Sequence, residues 1–426
     1  MKKLSLFCTI MVLMICLFLI TSGIQSQESR GVLRAGIAKI DITPEKPVRM
    51  SGYSGRKELS DGIHDPLSIR VVVFENSGKR LVLVSSDIIG FGRTYEYFQK
   101  AIADEFNLEQ SELFLSGIHT HSAPTPTLDK ERVHPNNVEY TEGLKPKLIK
   151  VIREALDSMS PVQIGAGIGY SPVGMNRRMT TPDGPVTLGC NPYGPTDKEV
   201  LVIKLARPNG TPIGALFDYA CHATSLGPRN LKISGDVLGL AAQFTEKILG
   251  NGLIAPEFAG ASGNIDPWFR VLPAFNTEPG WIPEPVLLGT LLGEEVVHIF
   301  RDIKELSTGG EIKTEFRTLN LPSKKRDEST AQKTDETTPL NITAAQVGDI
   351  AFIGFSCEML TEIGMAIKEA SPYKHTFLIT HCNGGSGYLP PAHLYKEGGY
   401  EVRSTRFAPQ AADMVVKEAL KMLYGL

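Results

Sequence analysis

Gly117-Ile118-His119-Thr120-His121-Ser122-Ala123-Pro124 sets two imidazoles two residues apart, directly after the apolar run Leu113-Phe114-Leu115. The run reads as a buried strand. Side chains alternate along a strand, so His119 and His121 point to the same side at its end. Imidazole is the commonest nitrogen ligand for zinc, and a pair displayed at a strand end is how a metal site often begins. Alone, an H-x-H pair fits two ordinary polar loop residues equally well. The rest of the chain has to supply the remaining ligands.

Working outward, the same grammar recurs: an apolar strand, then a metal-capable side chain at its end. Ile213 to Tyr219 runs into Cys221-His222, and Asp349 to Phe355 runs into Cys357-Glu358. Asp87 follows Leu81 to Ser86, and Asp266 follows the short strand Leu253 to Ala259 and its glycine-rich turn. A catalytic zinc takes His and carboxylate ligands and keeps a position for water. Chemistry alone therefore selects His119, His222 and Glu358. Helical spacing over Arg93–Phe106, Asn136–Met159, Val237–Leu249, Pro285–Ile303, Leu360–Ala370 and Ala408–Leu423 alternates with the strands. The expected fold is α/β, layered mixed β-sheets with flanking helices, with the site at strand ends. Ser171 to Asp197, rich in glycine and proline, reads as a site loop, and Lys324 to Pro339 as a solvated loop.

Composition narrows the function. A formal charge of -3 gives no electrostatic case for nucleic acid. Lys2 and Lys3 precede an apolar run from Leu4 to Ile20 and then small and polar residues, the pattern of a signal peptide over residues 1–28. A secreted or periplasmic protein is expected, with residues 29–426 forming one domain. Export permits disulfides among Cys190, Cys221, Cys357 and Cys382, in any of three pairings. Buried free thiols are an equal reading for Cys221 and Cys357.

From Gly36 to Glu401 the chain resembles the neutral (alkaline, non-lysosomal) ceramidases in their N-terminal catalytic domain. Ala35-Gly36-Ile37-Ala38-Lys39-Ile40-Asp41-Ile42-Thr43-Pro44 is similar to the family's opening strand, and Gly62-Ile63-His64-Asp65-Pro66-Leu67 to its next loop. His119-Thr120-His121-Ser122 is similar to its H-T-H-S segment. The resemblance implies zinc ligands His119, His222, Glu358 and Tyr388, with His121 beside the scissile amide. It also implies an N-R pair, Asn176-Arg177, whose arginine lines the site, with Arg178 as the competing choice. Tyr400-Glu401 is similar to a later Y-E pair. The family's G-D-x-S-P turn reads here Gly263-Asn264-Ile265-Asp266-Pro267, so Asp266 stands in the serine's place. The immunoglobulin-like domain of long ceramidases has no counterpart before Leu426.

The resemblance implies a zinc-dependent amidohydrolase acting on a small N-acyl or lipid-like substrate, with peripheral membrane contact. One zinc per chain is expected, and Asp266 is available to a second metal. His121, Arg177, Asp266 and Tyr400 are the expected catalytic residues, and Asn176 and Asn264 the expected substrate contacts. Hydrolysis of an ester, lactone or carbohydrate-linked group is the alternative, and a non-catalytic metal-binding relative the third reading.

Overall fold

The apolar run before the histidine pair is a strand, Leu113–Gly117, buried at every position. It lies at the edge of a five-stranded sheet in the order Leu113–Gly117, Lys79–Ser86, Ser68–Asn76, Arg34–Asp41, Ser160–Pro161. The structure is a computed structural model that describes residues 31–181, 184–268, 284–324 and 337–426. The expected leader, residues 1–28, lies outside the described residues. Val32–Leu426 forms one compact unit.

The central hairpin of this sheet follows from its turn. Asn76 pairs with Lys79, leaving Ser77-Gly78 as a two-residue connection with φ of 51° and 80°. Positive φ at both positions gives the turn a twist that matches the strands, and glycine accepts it without strain. The sheet is apolar on both faces. Val71, Val73, Val82 and Val84 pack with side chains from the helices Tyr95–Phe106 and Pro135–Asp157. Val72, Phe74, Leu81 and Leu83 pack against two further sheets. One of these has the order Glu257–Ala259, Pro212–Tyr219, Glu199–Ala206, Gln163–Tyr170; the other runs Ile312–Pro322, Thr337–Val347, Ile350–Phe355, His375–Ile379. Phe74 meets Phe352 across this seam at a ring distance of 6.3 Å. Truncating such a fully buried ring to alanine costs about 3–5 kcal/mol. The helices Asp236–Leu249 and Glu284–Asp302 share the core of the second sheet, and Thr361–Ala370 and Ala411–Gly425 that of the third. The fold is the layered mixed α/β architecture expected. Among the described residues no helix is long and apolar enough to cross a membrane.

Each of the three large sheets has one parallel pair, and it lies at an edge. Lys79–Ser86 runs parallel to Leu113–Gly117, Pro212–Tyr219 to Glu257–Ala259, and Ile350–Phe355 to His375–Ile379. Parallel neighbours send their C-terminal ends the same way, so each pair delivers two chain ends to one place. Asn383 ties the first pair to the third: its side chain accepts from the Leu115 amide and donates to the Leu113 carbonyl.

Two loop expectations are corrected. Ser171 to Asp197 contains the hairpin Gly174–Thr181 and Gly184–Asn191, which pairs with Ile265–Pro267. Pro185 is tolerated because its strand is at the edge of this small sheet and owes no ladder bond outward. Residues 337–339, expected in the solvated loop, belong to the strand Thr337–Val347, while residues 325–336 lie outside the described residues. The four cysteines Cys190, Cys221, Cys357 and Cys382 are free thiols.

Candidate metal centre

His119 leaves the strand Leu113–Gly117 with a left-handed backbone, φ 63°. Its amide donates to the Ile88 carbonyl at 3.0 Å, and its Nδ1 lies 3.0 Å from the Ile89 carbonyl oxygen. A carbonyl only accepts, so the ring proton is on Nδ1 and Nε2 turns a lone pair inward. His222 repeats this arrangement: its Nδ1 donates to the Ser262 carbonyl at 2.7 Å. A short parallel bridge between Thr120 and Ala223 holds the two histidine segments side by side.

Glu358 comes from the third sheet. The short strand Glu358–Met359 runs parallel to Tyr388–Leu389 with Glu358 opposite Tyr388. Glu358 Oε2 lies 3.4 Å from His119 Nε2 and 3.7 Å from His222 Nε2. Burial pushes this carboxyl up, yet the imidazoles around it hold it well below the usual carboxylate range. Burial lowers His222, with Arg177 adding to the effect, and lowers His121 well below its ordinary value, with His119 adding to it. With the ring protons on Nδ1, His119 and His222 turn Nε2 lone pairs toward an ionised carboxylate, an arrangement that calls for a proton or a cation between them. His222 Nε2 and Glu358 Oε2 are buried without a hydrogen-bond partner. A buried acceptor left this way is costly, and a divalent cation would satisfy all three atoms at once. The donor set fits zinc.

The ring nitrogens of His119, His121 and His222 also lie within 4.8 Å of one another. His121 Nε2 is 3.4 Å from His119 Nε2. The two overlapping sets share His119 and His222. Glu358 is the stronger third member because it alone brings negative charge, and because its facing oxygen has no other partner. His121 instead lines a cavity of about 690 Å³, together with Arg177 and Tyr388. Its ring packs edge-on against Tyr53, with centroids 4.8 Å apart. Gly52 makes room for it: a Cβ there would fall 2.2 Å from the ring, at a φ of 87°.

Arg177 is buried and almost fully engaged. Nε donates to Glu401 at 2.9 Å, Nη1 to Asp266 at 3.2 Å, and Nη2 to the Gly263 carbonyl at 2.7 Å and the Tyr388 hydroxyl at 3.2 Å. Burial works against its charge, but Asp266, Tyr388 and Glu401 hold its pKa well above the usual value. Burial and the Glu358 charge keep the Tyr388 phenol protonated. Tyr400 packs edge-on against Tyr388 at 5.5 Å, and the Arg177 guanidinium carbon lies 5.7 Å from each ring. Arg178 turns away to Glu401, Glu397 and the Gly398 carbonyl. Of the two competing arginines, Arg177 is the one on the cavity.

Asn176 and Asn264, expected to contact substrate, are committed to the scaffold. Asn176 donates to the Pro195 carbonyl and accepts from the Arg178 amide. Asn264 accepts from the Thr361 amide and donates to Glu362. Neither is among the residues lining the cavity. Asp266 is buried, pairs with Arg177 and lies 3.4 Å from the Thr224 hydroxyl. One site residue went unread in the sequence: His381, stacked on His119. It follows the strand His375–Ile379 and obeys the same strand-end grammar.

Residues 33–262, just over half of the chain, match the family described as Neutral/alkaline non-lysosomal ceramidase, N-terminal. The chain belongs to this family. A neutral ceramidase of Oryza sativa is 28% identical over 228 residues, 50% of this chain and 28% of that protein. Neutral ceramidase 1 of Arabidopsis thaliana is 27% identical over 244 residues, 54% of this chain and 31% of that protein. The match therefore takes up about a third or less of these curated relatives. The crystal structure of neutral ceramidase from Pseudomonas aeruginosa shares the fold, with a TM-score of 0.76 at 20% identity, over 93% of this chain and 75% of that one.

Proposed function

We propose that this ceramidase-family chain is an exported zinc-dependent amidohydrolase that cleaves an N-acyl bond of ceramide type or simpler. The observation that carries the reading is the meeting of three acceptor atoms, from His119, His222 and Glu358, beside a cavity of about 690 Å³. In this reading those three residues and the Tyr388 hydroxyl hold the ion. Zinc bound there would polarise the acyl carbonyl and acidify a water molecule.

The chain's own groups supply the rest. His121 stands at the cavity with Nε2 3.4 Å from His119 Nε2, beside the centre, where it would hold the attacking water or the carbonyl oxygen by a hydrogen bond. Arg177 has five N–H groups, four of them engaged with Glu401, Asp266, Gly263 and Tyr388. The remaining N–H on Nη1 and the fixed charge offset the negative charge that develops on the carbonyl oxygen as water adds. The proton released by the adding water passes to the leaving amine as the C–N bond breaks. Asp266, in the family's serine position, fixes Arg177 and brings no hydroxyl to the acyl carbon, which favours direct attack by water. Tyr400 walls the cavity beside Tyr388. Leu188, which lines the same cavity, is 44% exposed and offers an apolar edge to a lipid-like substrate.

The test is metal analysis of the purified protein combined with a panel of N-acyl amides, esters and lactones. The reading requires about one zinc per chain and amide turnover lost on chelation. Ester or lactone turnover with no amide turnover would shift the substrate class, and absence of zinc would remove the mechanism.

A further inference from the structure

A second cavity, of about 190 Å³, reaches the same centre and shares no lining residue with the first. The larger cavity touches His121, Arg177 and Tyr388. The smaller one touches His119, Glu358 and His381. Each proposed ligand is closed to solvent except one: His119 is 4% exposed, His222 0% and Tyr388 7%, whereas the Glu358 side chain is 21% exposed. Glu358 borders the smaller cavity and not the larger.

Five of the smaller cavity's lining residues are glycine: Gly90, Gly92, Gly384, Gly385 and Gly387. Gly92 and Gly385 pack closely in its wall, where a Cβ on Gly385 would fall 2.9 Å from Gly92 Cα. A Cβ on Gly384 would fall 3.1 Å from the Ser356 Cβ. Glycine at these positions lets the wall segments approach each other. A volume of about 190 Å³ is roughly six water molecules at about 30 Å³ each, enough for a hydrated divalent ion but not for an N-acyl lipid. The only anionic group of the donor set meets an arriving cation first.

We infer that this glycine-walled cavity is the path by which the metal enters and leaves the centre, separate from the cavity that takes substrate. The inference rests on the metal reading above. It predicts that exchange of the ion is governed by Ile89, which lines the small cavity and whose backbone carbonyl holds His119.

The experiment is exchange of bound zinc against an isotopically labelled pool, followed by mass spectrometry of the whole protein. Ile89→Trp should slow exchange by about tenfold, and Ile89→Ala should speed it by a similar factor. Leu231→Trp, which narrows the larger cavity, should leave it within about twofold. If Ile89→Trp does not fold, Ile89→Phe fills less of the cavity and should also slow exchange. Slower exchange in Leu231→Trp with no response to any Ile89 substitution would overturn the inference while leaving a zinc enzyme in place. A protein that takes up no zinc would overturn the metal reading and this inference together.

Discussion

The imidazole of His381 lies flat on that of His119, with ring centroids 3.7 Å apart and planes 13° from parallel. Both residues sit in the left-handed region, φ 52° and 63°. His119 is therefore fixed twice: its edge by the Ile89 carbonyl, its face by His381. Groups that orient a ligand without touching the metal are commonly worth a factor of 10–100 in affinity. His381→Ala should weaken zinc binding about tenfold, and His381→Phe, which keeps a flat ring, should retain most of it. Competition with a chelator reads both; equal losses would mean that the stack does not position His119.

Glu358→Gln separates binding from folding. Removing the charge should lower zinc affinity by about 10–100-fold. In metal-free protein the sign reverses, because an amide N–H at that place can donate to the His119 or His222 lone pair that faces the carboxylate oxygen at 3.4 or 3.7 Å. Calorimetry should find the metal-free variant more stable than metal-free parent by about 2 °C. A less stable variant would mean that the three acceptors do not oppose one another.

Arg177 and Arg178 both bind Glu401, yet only Arg177 lines the larger cavity. Lysine cannot reproduce a planar fork with four contacts. Arg177→Lys should lower kcat by about 100-fold, the usual loss when a preorganised donor is removed. Arg178→Lys should lower Tm and leave kcat within about threefold. Steady-state kinetics on an N-acyl amide, with melting curves, distinguishes the two.

Asp218, at the back of the second sheet, predicts a pH effect. Its Oδ2 accepts from the Leu378 amide and its Oδ1 has no partner. Burial pushes this carboxyl up from 3.8 to about 7, against the nearby Lys368. A folded-state value above the unfolded one adds stability that is complete below the unfolded pKa and is lost as pH rises through the folded one. Stability from this group therefore declines between about pH 4 and pH 7. Asp218→Asn removes the decline and should be more stable than parent at pH 8.5 by about 2 kcal/mol in urea unfolding. An unchanged slope between pH 5 and pH 8.5 would show that Asp218 ionises freely in the fold.

Much of the candidate site was legible because His119, His222 and Glu358 follow unbroken apolar strands, and periodicity reports such strands directly. His381 follows one too, but the glycines after Asn383 masked it as the opening of a loop. Tyr388 and Arg177 emerged only through the family resemblance. Tyr388 occupies a two-residue strand whose partner, Glu358, is distant in sequence, and no local pattern reports such a pairing. Asn176 and Asn264 were read as substrate contacts because they adjoin site residues, and their side chains bond the scaffold. Consecutive side chains of an extended strand face opposite ways, so the neighbour of Arg177 turns into the scaffold. The hairpin around them was hidden by prolines that an edge strand accommodates.

The three edge pairs leave His119, His222 and Glu358 without a common local origin: one comes from each large sheet. No excised segment could carry the site as a module, and no single element could be redesigned without disturbing the others' alignment. An ion bound there would act as a clasp across the whole architecture, so its departure should loosen all three layers together. Susceptibility to proteolysis would then report occupancy of the centre even where the cuts fall far from it.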